Sequence, residues 1–431
     1  MDEIPSSLRF SANYRRYTPE AAGLLMRISE ALGTVRAARV LPAVADELRA
    51  SARVGTVHYS NLIEGNQLPM IAAEQAARGA LAPDTKAKIE LVNYVNALDL
   101  IDQRVDDGTL ELTPGFLKEL HGVTTKGLGR EDDPHFKPHH EGEWRDGTAV
   151  VVDQLTHQIL HEGPPAEEVE PRMRSMFEWM RGKLGTELPF IVAGVMHYGI
   201  TDVHPFADGN GRAARLFQAV LLTQAQALPG RMFSFERYYA EDRTAYYDAL
   251  RSVRRNTFNM EFWLEYFLSG LAEEYERVAS TVVDLGQLAA GAEQAPLRLS
   301  ASQQNGLTKL RLDGRREFTR RDYEPAAGVA RSAAGKELQG LVRHGVLTVR
   351  GRGATTTYAF AGPAGSAATT TRAGRKVIWT EHAIEHELRA WLDGRSSWPT
   401  YQEFIAAGKR DLYAAASRNG GTARWRRIMG L

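Results

Sequence analysis

Residues 204–215 read His-Pro-Phe-Ala-Asp-Gly-Asn-Gly-Arg-Ala-Ala-Arg. This run brings a titratable base, a carboxylate, a pair of glycines and two arginines close together. Apolar residues at helical spacing follow from Ala213 onwards, so the pattern predicts a helix that begins at the glycine pair. Unpaired N–H groups and the dipole at such a helix N-terminus favour an anion. The stretch therefore predicts a phosphate-binding loop in front of a helix.

The polar residues of this run suit the phosphates of a nucleotide. Gly209 and Gly211 lack a Cβ, so their backbone N–H groups can approach phosphate oxygens closely. Arg212 and Arg215 are three residues apart on the first helical turn, where their fork-shaped donors match phosphoryl oxygens. A single histidine or a single Gly-Asn-Gly is commonly an ordinary turn. The complete set within one short run indicates a functional site.

The same run also supplies a metal ligand and a base. Asp208 is a hard oxygen ligand suited to Mg²⁺ held jointly with phosphates. His204, with an unperturbed pKa of about 6.5, can take a proton from an attacking hydroxyl. At every fixed position the run resembles the signature of the Fic family, His-Pro-Phe-x-[Asp/Glu]-Gly-Asn-Gly-Arg-x-x-Arg. The resemblance covers residues 10–275 and implies transfer of a nucleoside monophosphate, usually AMP from ATP, to a protein hydroxyl.

The resemblance also implies roles for individual residues. His204 would be the catalytic base, and Asp208 would hold Mg²⁺. The implied nucleotide ligands are Gly209, Asn210, Gly211, Arg212, Arg215, Tyr246 and Tyr247. The two tyrosines resemble the family segment beside the adenine, where an aromatic ring can stack on a base. This chain has Arg254 where the family often has a polar amide, so the base preference stays open.

An inhibitory element is predicted before the catalytic domain. Ser60 and Glu64 are four residues apart, hence on one helical face, and Gly65 is a natural residue just past a helix end. The segment resembles the family motif [Ser/Thr]-x-x-x-Glu-[Gly/Asn], which implies that Glu64 reaches Arg215 in place of the γ-phosphate. An arginine fork binds a carboxylate or a phosphate, but not both at once. Glu64 could come from the same chain or from a second copy, which leaves a homodimer open.

A β-hairpin is predicted between the inhibitory element and the motif. Asp146-Gly147 lies between residues 142–145 and 149–152, and Asp-Gly between such runs is a hairpin signal. The family has a hairpin flap here that pairs with the backbone of the target protein. The resemblance therefore implies that this hairpin places a target hydroxyl opposite His204.

The histidines outside the motif have simpler interpretations. His135, His139 and His140 lie close enough in sequence to suggest a metal site. The chain offers no clear frame of helical carboxylates for such a metal, so we did not assign one. His197 lies within the apolar run 188–200, and this position predicts a buried histidine of the core.

Composition limits the class of protein. The chain has 431 residues, 43% of them apolar, and no cysteine. This length predicts two or three domains of a globular protein. Without cysteine, disulfides and zinc–thiolate sites are excluded, and a reducing compartment fits. No apolar run approaches the ~18 residues of a membrane span, and no signal pattern opens the chain, so we expect a cytoplasmic protein without a membrane partner.

The net charge of zero conceals an acidic first part and a basic last part. Residues 295–431 contain 23 Lys and Arg against 11 Asp and Glu, and residues 1–294 contain 30 against 42. A basic part of this size favours contact with nucleic acid. A merely solvated basic surface is the alternative.

Residues 297–360 show a pattern of three helices followed by a hairpin and resemble a winged helix-turn-helix. The resemblance implies that the helix near residues 330–344 enters the major groove of DNA while the wing touches the backbone. The candidate DNA contacts are Arg331, Ser332, Lys336, Arg350 and Arg352. Such domains also serve in dimerisation or protein docking, so both interpretations remain.

The predicted fold class is mainly α, in four parts. Residues 1–70 form N-terminal helices with the inhibitory motif, and residues 71–285 form the Fic catalytic domain with its β-hairpin flap. Residues 296–362 form the winged-helix domain, and residues 376–431 form a small module of three helices. The Gly/Ala-rich run 285–295 and the small-residue run 362–371 are the predicted linkers.

The expected function is that of a protein adenylyltransferase that uses ATP and Mg²⁺, modifies a Ser, Thr or Tyr hydroxyl of a target protein, and is inhibited by Glu64. One alternative is a DNA-binding regulator in which the nucleotide site is a sensor. Another is a transferase that uses a different nucleotide, or an enzyme that removes AMP from a modified protein. The active-site residues of these enzymes overlap too far for sequence to separate them.

Overall fold

Helices dominate the chain. The computed structural model describes residues 4–14, 18–38, 42–133, 135–152, 159–255, 258–294, 299–312, 315, 317–344, 346–351, 356–360, 381–392, 395, 397–400, 403–404, 407–409, 412–413, 415–416 and 421–429. The first elements are α1 (Pro19–Ala37), α2 (Pro42–Ile63), α3 (Met70–Ala77), α4 (Lys86–Asp106), α5 (Pro114–Thr125), β1 (Val150–Val152) and β2 (Ile159–Glu162). There follow α6 (Ala166–Lys183), α7 (Pro189–Val203), α8 (Asn210–Gln224), α9 (Glu236–Glu241), α10 (Arg243–Arg255) and α11 (Glu261–Gln294).

The later elements are shorter. They are α12 (Ala301–Leu312), β3 (Glu317–Phe318), α13 (Arg320–Ala327), α14 (Arg331–Arg343), β4 (Leu347–Arg350), β5 (Thr357–Phe360), α15 (Glu381–Leu392) and α16 (Gly421–Met429). The chain divides into two units. One comprises Met1–Met26, Arg53–Ala272 and Ile378–Leu431, and the other comprises Arg27–Ala52 and Glu273–Val377.

Helices α7 and α8 form the centre of the first unit. Buried residues occupy 12 of the 15 positions of α7, as expected for a helix that is apolar nearly all round. The Trp263 indole N–H donates to the Gly194 carbonyl of α7 at 2.8 Å, so α11 packs against this helix. Residues of α2, α3, α4, α5 and α8 pack together in an apolar cluster around Tyr94. Both ends of the motif are thus held by packed helices.

The β-hairpin lies later in the chain than the sequence predicted. Strand β1 pairs antiparallel with β2, with Val151 opposite His161. The predicted turn at Asp146-Gly147 is wrong, because residues 141–149 form no strand. The Arg145 N–H donates instead to the Pro205 carbonyl at 2.9 Å, so this segment is tied to the motif loop and does not fold back on itself. We call the β1–β2 hairpin the flap.

The predicted linker at residues 285–295 is also wrong, because α11 continues to Gln294. The run between Leu285 and Gln294 contains three alanines, which have the highest intrinsic helix propensity, and two glycines are too few to end the helix. The second predicted linker, residues 362–371, lies outside the described residues.

The second unit contains a helical segment with a small sheet. Helices α12, α13 and α14 surround an apolar cluster that includes Leu310, Tyr323 and Leu338. The sheet has the order β3-β5-β4 and is antiparallel throughout. The sequence pattern predicted β4 and β5 but missed the two-residue strand β3. Thr319 caps α13 together with Asp322.

Residues 381–429 belong to the first unit. Trp391, Trp398 and Tyr413 contact the Phe404 ring, with ring centroids 4.5, 5.8 and 5.0 Å away. Trp425 is buried and its indole N–H donates to the Ala416 carbonyl at 3.1 Å. The described aromatic residues of this segment therefore form packing contacts. Within the described parts of the chain, no helix combines the length and hydropathy needed to cross a bilayer.

Candidate active site

The motif loop (residues 204–209) connects two helices through two left-handed residues. His204 ends α7 with φ 51° and ψ 58°, and Gly209 precedes α8 with φ 75°. Glycine reaches this conformation without strain, whereas histidine reaches it at a cost. Asn210 braces the loop, because its side-chain amide accepts from the Phe206 N–H at 2.9 Å and donates to the Phe206 carbonyl at 2.8 Å. The Asn210 side chain therefore has a structural role in the loop, and the predicted contact of Asn210 with the nucleotide stays a prediction.

His204 is arranged as a base. Its backbone N–H donates to the Ile200 carbonyl at 3.0 Å, and its ring Nδ1 lies 3.3 Å from the Thr201 carbonyl. A carbonyl only accepts, so Nδ1 carries the proton and Nε2 keeps its lone pair. Burial lowers the pKa of the His204 imidazole below its ordinary value. The ring is therefore neutral at pH 7 and able to accept a proton.

The start of α8 is built for an anion. Helix α8 begins at Asn210, and its first two turns carry Arg212 and Arg215, both almost fully buried. Arg212 Nε and Nη1 and Arg215 Nη1 form no hydrogen bond with the residues that the structure describes. Arg212 Nη1 also lies 3.5 Å from Glu90 Oε1, so its charge is partly compensated. Buried donors that lack a hydrogen bond are costly, so these three nitrogens favour an anionic ligand, as the predicted phosphate site requires.

Glu64 lies on this anion site. Its Oε1 accepts from Arg215 Nη2 at 2.7 Å, and the ideal Cβ position on Gly211 is 2.3 Å from the same oxygen. Ser60 supports the contact, because its Oγ accepts from Arg215 Nε at 2.8 Å and its carbonyl accepts from Nη2 at 3.1 Å. Gly65 has φ 94°, as expected for the residue that ends α2. A carboxylate of the same chain therefore occupies space over the glycine pair.

Asp208 faces the same space and fits a divalent cation. Its Oδ1 accepts from the Gly209 N–H at 2.6 Å, and its Oδ2 lies 3.8 Å from Arg212 Nη2. The side chain is 44% exposed, which leaves Oδ2 open to a further ligand. A fixed carboxylate beside a phosphate site is the usual protein contribution to Mg²⁺ binding. The donor chemistry therefore fits Mg²⁺.

His121 is a functional residue that the sequence did not reveal. Its ring stacks on Phe206 with centroids 3.7 Å apart, and its Nε2 donates to the Asp208 carbonyl at 2.8 Å. Its Nδ1 accepts from the Gly142 N–H at 3.0 Å. Burial lowers the pKa of His121 to about 4, so the ring stays neutral and keeps this tautomer. His121 thereby fixes the backbone of the predicted metal ligand, and only the packed structure shows that it does so.

Tyr246 and Tyr247, which the sequence predicts beside the nucleotide base, are not equivalent. Tyr246 is buried, its hydroxyl lies 2.8 Å from His197 Nε2, and its ring stacks on Tyr239 with centroids 4.9 Å apart. Tyr246 and His197 therefore belong to the core, which confirms the interpretation of His197. Tyr247 keeps part of its surface accessible, and its hydroxyl donates to the Ile63 carbonyl at 3.4 Å. Of the pair, Tyr247 is the better candidate for contact with a base.

Arg254 joins the flap to α7. Its guanidinium forms an ion pair with Asp202 at 2.6 Å and also donates to His161 on β2. His161 Nε2 lies 2.8 Å from the Asp202 carbonyl, and its ring centroid is 5.9 Å from that of His204. Burial, with the charge of Arg254, lowers the pKa of His161 to about 4. Sequence reasoning noted Arg254 but missed Asp202 and His161, because their proximity depends on the flap position.

The histidines before the flap fit hydrogen bonding better than metal binding. Ligand atoms of His139, His140 and Asp146 lie within 4.8 Å of one another. The Lys137 N–H donates to His140 Nδ1 at 3.0 Å, and His140 Nε2 lies 3.1 Å from Asp146 Oδ1. Because His140 Nδ1 accepts this bond, the proton of His140 is on Nε2. A metal would need a lone pair on that nitrogen. His135 does not belong to this group.

The predicted DNA-contacting residues lie in the second unit. Arg331, Ser332 and Lys336 are exposed at the start of α14. They line a shallow concave surface with Arg320, Ala330, Gly335 and Gln339. Arg350 on β4 is exposed but pairs with Glu317 at 2.6 Å, so part of its charge is compensated. Arg352 lies outside the described residues.

Comparison with known families identifies the central part of the chain. Residues 111–222 match the Fic/DOC family. This part of the chain is a Fic/DOC domain. The matched residues include α5, the flap, α7, the motif loop and most of α8. Ser60, Glu64 and the two tyrosines lie outside them, so the comparison with the family does not bear on these four residues.

Curated relatives resemble less than half of the chain. A protein adenylyltransferase Fic of Nematostella vectensis is 27% identical over 201 residues, which are 46% of this chain and 42% of the relative. A protein adenylyltransferase Fic of Drosophila grimshawi is 27% identical over 170 residues, 39% of this chain and 32% of the relative. The chain therefore covers less than half the length of these relatives.

A solved structure supports the fold of the Fic/DOC domain. A crystal structure of a Fic family protein from Desulfovibrio desulfuricans G20 has a TM-score of 0.53 and 20% sequence identity. The comparison covers 85% of this chain and 100% of that chain. At this identity the similarity shows the shared fold alone, and it confirms the prediction of a mainly helical, Fic-like architecture.

Proposed function

We propose that the chain transfers AMP from ATP to a hydroxyl group of a protein. The observation that carries this proposal is the motif itself, in which His204 keeps a lone pair on Nε2 and the helix that follows the motif loop carries two buried arginines with three nitrogens that form no hydrogen bond among the described residues. The names of the curated relatives support the same reaction. The flap supports a protein as the acceptor, because an exposed hairpin strand can pair with an extended segment of another chain.

The reaction follows from the positions of the residues. The backbone at Gly209–Gly211 and the side chains of Arg212 and Arg215 would bind the phosphates of ATP. His204 Nε2 would remove the proton of the target hydroxyl, whose oxygen then forms a bond to the α-phosphorus. The bond from the α-phosphorus to the bridging oxygen breaks, and pyrophosphate leaves with its electron pair. Preformed donors meet the charge that builds on the phosphoryl oxygens, so little reorganisation is needed.

Asp208 would hold Mg²⁺ in this reaction. The bound cation would neutralise part of the phosphate charge. His121 keeps Asp208 in place through the Asp208 carbonyl, and the Gly209 N–H fixes the orientation of the carboxylate. These contacts would leave one carboxylate oxygen directed at the cation.

We propose further that Glu64 inhibits this reaction from within the same chain. Its carboxylate already accepts from Arg215, so a γ-phosphate must displace it before ATP binds productively. Glu64 accepts from Arg215 Nη2 and lies over Gly211, so a γ-phosphate cannot take the same donor and the same space while Glu64 stays there. The Ser60 contacts hold the guanidinium in the orientation that favours Glu64. This arrangement supports inhibition without a second subunit.

Labelled nucleotides test the proposed reaction. The protein, with Mg²⁺ and a cell extract as a source of targets, should incorporate label into protein from ATP labelled at the α-phosphorus. Label at the γ-phosphorus should leave with pyrophosphate, so the protein should add none to the incorporation that the extract shows by itself. Parallel incubations with GTP, CTP and UTP measure the base preference. Protein-dependent incorporation from the γ-position, or none from the α-position of any nucleotide with a Glu64→Gly variant, would contradict the proposal.

A second function is supported by the other unit. We propose that α12–α14 with the sheet β3-β5-β4 form a winged helix-turn-helix and that the start of α14 contacts DNA. The concave surface is lined by Arg320, Arg331 and Lys336, of which Arg320 also pairs with Glu324 at 3.2 Å. Its shape and charge suit the phosphate backbone and base edges of a duplex.

An Arg331→Ala/Lys336→Ala variant should lose affinity for DNA. Each phosphate contact that is removed reduces the slope of log affinity against log salt by about 0.9, so the pair should reduce it by about 1.8. Fluorescence anisotropy with a labelled mixed-sequence duplex at several salt concentrations measures this slope. Arg172→Ala on α6 is the control, because Arg172 pairs with Glu168 far along the chain from α14. An unchanged slope, or no binding by the parent protein, would argue against this surface.

A further inference from the structure

Arg145 lies between the motif loop and the flap and is 3% exposed. Its guanidinium donates to four backbone carbonyls, those of His204 (2.8 Å from Nε), Gly147 (2.6 Å from Nη1), Pro164 (from Nη2) and Val203 (3.5 Å from Nη2). Its backbone N–H donates to the Pro205 carbonyl at 2.9 Å. One residue therefore contacts three consecutive carbonyls around the proposed base and one carbonyl on each side of the flap.

The charge of Arg145 is satisfied by these carbonyls. Among the residues that the structure describes, none of the ion pairs involves Arg145. A buried cation is stable only where acceptors or opposite charge compensate the lost water. The last carbonyls of α7 are the negative end of the helix dipole, so they attract a guanidinium at this position. Arg145 therefore serves as a side-chain cap for α7.

Arg145 caps the backbone at His204, which is in a strained conformation. His204 has φ 51° and ψ 58°, a left-handed conformation that a residue with a Cβ adopts only when its surroundings hold it there. Arg145 holds the carbonyls on both sides of this residue. Gly163 makes room for the guanidinium, because a Cβ there would lie 2.9 Å from Nη2. The position of the His204 ring thus depends on a contact from the segment that precedes the flap.

The same guanidinium also fixes the two ends of the flap. Gly147 precedes β1 and Pro164 follows β2, and both carbonyls accept from Arg145. The Gly163 N–H donates to the Ala149 carbonyl at 2.8 Å, which closes the base of the hairpin beside these contacts. A movement of the flap base would therefore require Arg145 to release the backbone of His204.

We propose that Arg145 is a positioning residue that holds the base His204 and the flap in one fixed geometry, so that a hydroxyl on a flap-bound target arrives opposite His204 Nε2. This inference rests on the proposed transferase function. Proper alignment of two reacting groups contributes a large factor to rate, and a displacement of about 1 Å can lower the rate about 100-fold. Arg145 would supply this alignment without contacting substrate.

Two substitutions separate the charge of Arg145 from its geometry. Arg145→Lys keeps the charge but cannot reach four carbonyls, and Arg145→Gln keeps polar contacts but removes the charge. In a Glu64→Gly background, both variants should lower kcat for target modification by about 10- to 100-fold. The KM for ATP should stay within about twofold, because Arg212 and Arg215 are untouched. Arg172→Gln on α6 is the matched control and should leave kcat unchanged.

The acid–base behaviour of His204 provides a readout that does not need activity. Burial lowers the pKa of His204, and the nearby charge of Arg145 lowers it further. Arg145→Gln should therefore raise this pKa in the nucleotide-free protein, whereas Arg145→Lys should leave it nearly unchanged. NMR titration of the histidine ring protons measures it, and His204→Ala identifies the signal. Hydrogen exchange at the flap strands should be faster in both variants.

The outcomes decide between positioning and a merely structural role. A fall in kcat at constant KM for ATP, with faster flap exchange and the pKa shift in Arg145→Gln alone, supports the proposal. Unchanged kcat, pKa and flap exchange in folded variants would overturn it, and so would an equal loss of ATP binding and of helical circular dichroism. If the Glu64→Gly protein transfers no AMP, the proposed function fails. The titration and the exchange data then decide the role of Arg145 on their own.

Discussion

Glu64→Gly is expected to raise AMP transfer by about 10- to 100-fold. The Glu64 carboxylate is 30% exposed and accepts from Arg215, which is 1% exposed, so ATP has to compete with an intramolecular anion. A hydrogen bond to a charged group contributes about 1.5–3 kcal/mol, and about 1.4 kcal/mol corresponds to a factor of ten in an equilibrium. Removal of the carboxylate should therefore increase productive binding of ATP by this amount. The initial rate of label incorporation from ATP labelled at the α-phosphorus measures the effect.

Glu64→Gln separates charge from occupancy at the same position. If the negative charge alone excludes the γ-phosphate, Gln should activate nearly as well as Gly. If the side chain also blocks the space over Gly211, Gln should activate less. Glu111→Gly is the control, because Glu111 is an exposed carboxylate in a non-helical segment before α5. Equal rates for the parent, Glu64→Gly and Glu64→Gln proteins would contradict the proposed inhibition.

The same substitution should change stability in a ligand-dependent way. Without Glu64, Arg215 keeps its contacts with Ser60 but loses its carboxylate partner, so a nearly buried cation is left less well compensated. The melting temperature of Glu64→Gly should therefore fall below that of the parent protein. ATP with Mg²⁺ should restore it, since the phosphates replace the missing anion and ligand binding stabilises the native state.

The motif and the main helices could be predicted from sequence because local rules determine them. Apolar spacing placed α7 and the start of α8 close to their observed bounds, and Gly65 indicated the end of α2. The contact of Glu64 with Arg215 was implied only by family resemblance. Two facts support it physically: Gly65 ends α2, and this helix end leaves Glu64 facing the start of α8.

Long-range contacts explain what the sequence could not show. Asp146-Gly147 is a good local turn signal, but the Arg145 N–H donates to the Pro205 carbonyl and its side chain to the His204 carbonyl, so this segment contacts the motif loop and forms no strand opposite residues 149–152. His121 has the spacing of a core residue on α5, and nothing in its neighbours indicates that it meets Asp208, 87 residues away. The functions of both residues arise from tertiary packing, which local propensity does not encode.

His204→Ala in the Glu64→Gly background is expected to lower AMP transfer by about 100- to 10,000-fold, the usual contribution of a positioned general base. Binding of ATP should persist, because Arg212, Arg215 and the glycine pair are unchanged. Equilibrium binding of a fluorescent ATP analogue and the rate of label incorporation separate these two effects. Ala adopts the left-handed conformation at a cost, so His204→Asn is the second variant, since Asn tolerates φ 51° better.

The pH dependence of AMP transfer is a further test of His204 as the base. A base must carry a lone pair, and burial lowers the pKa of His204 below its ordinary value of about 6.5. Transfer by Glu64→Gly should therefore be constant above neutral pH and fall only on the acid side of that value, as the imidazole gains a proton. The residual transfer of His204→Asn should lack this acid limb. His135→Ala changes an exposed histidine before the flap. This variant should keep both the rate of AMP transfer and the fall of that rate at acid pH. A folded His204→Asn protein with the parent rate would show that another group removes the proton.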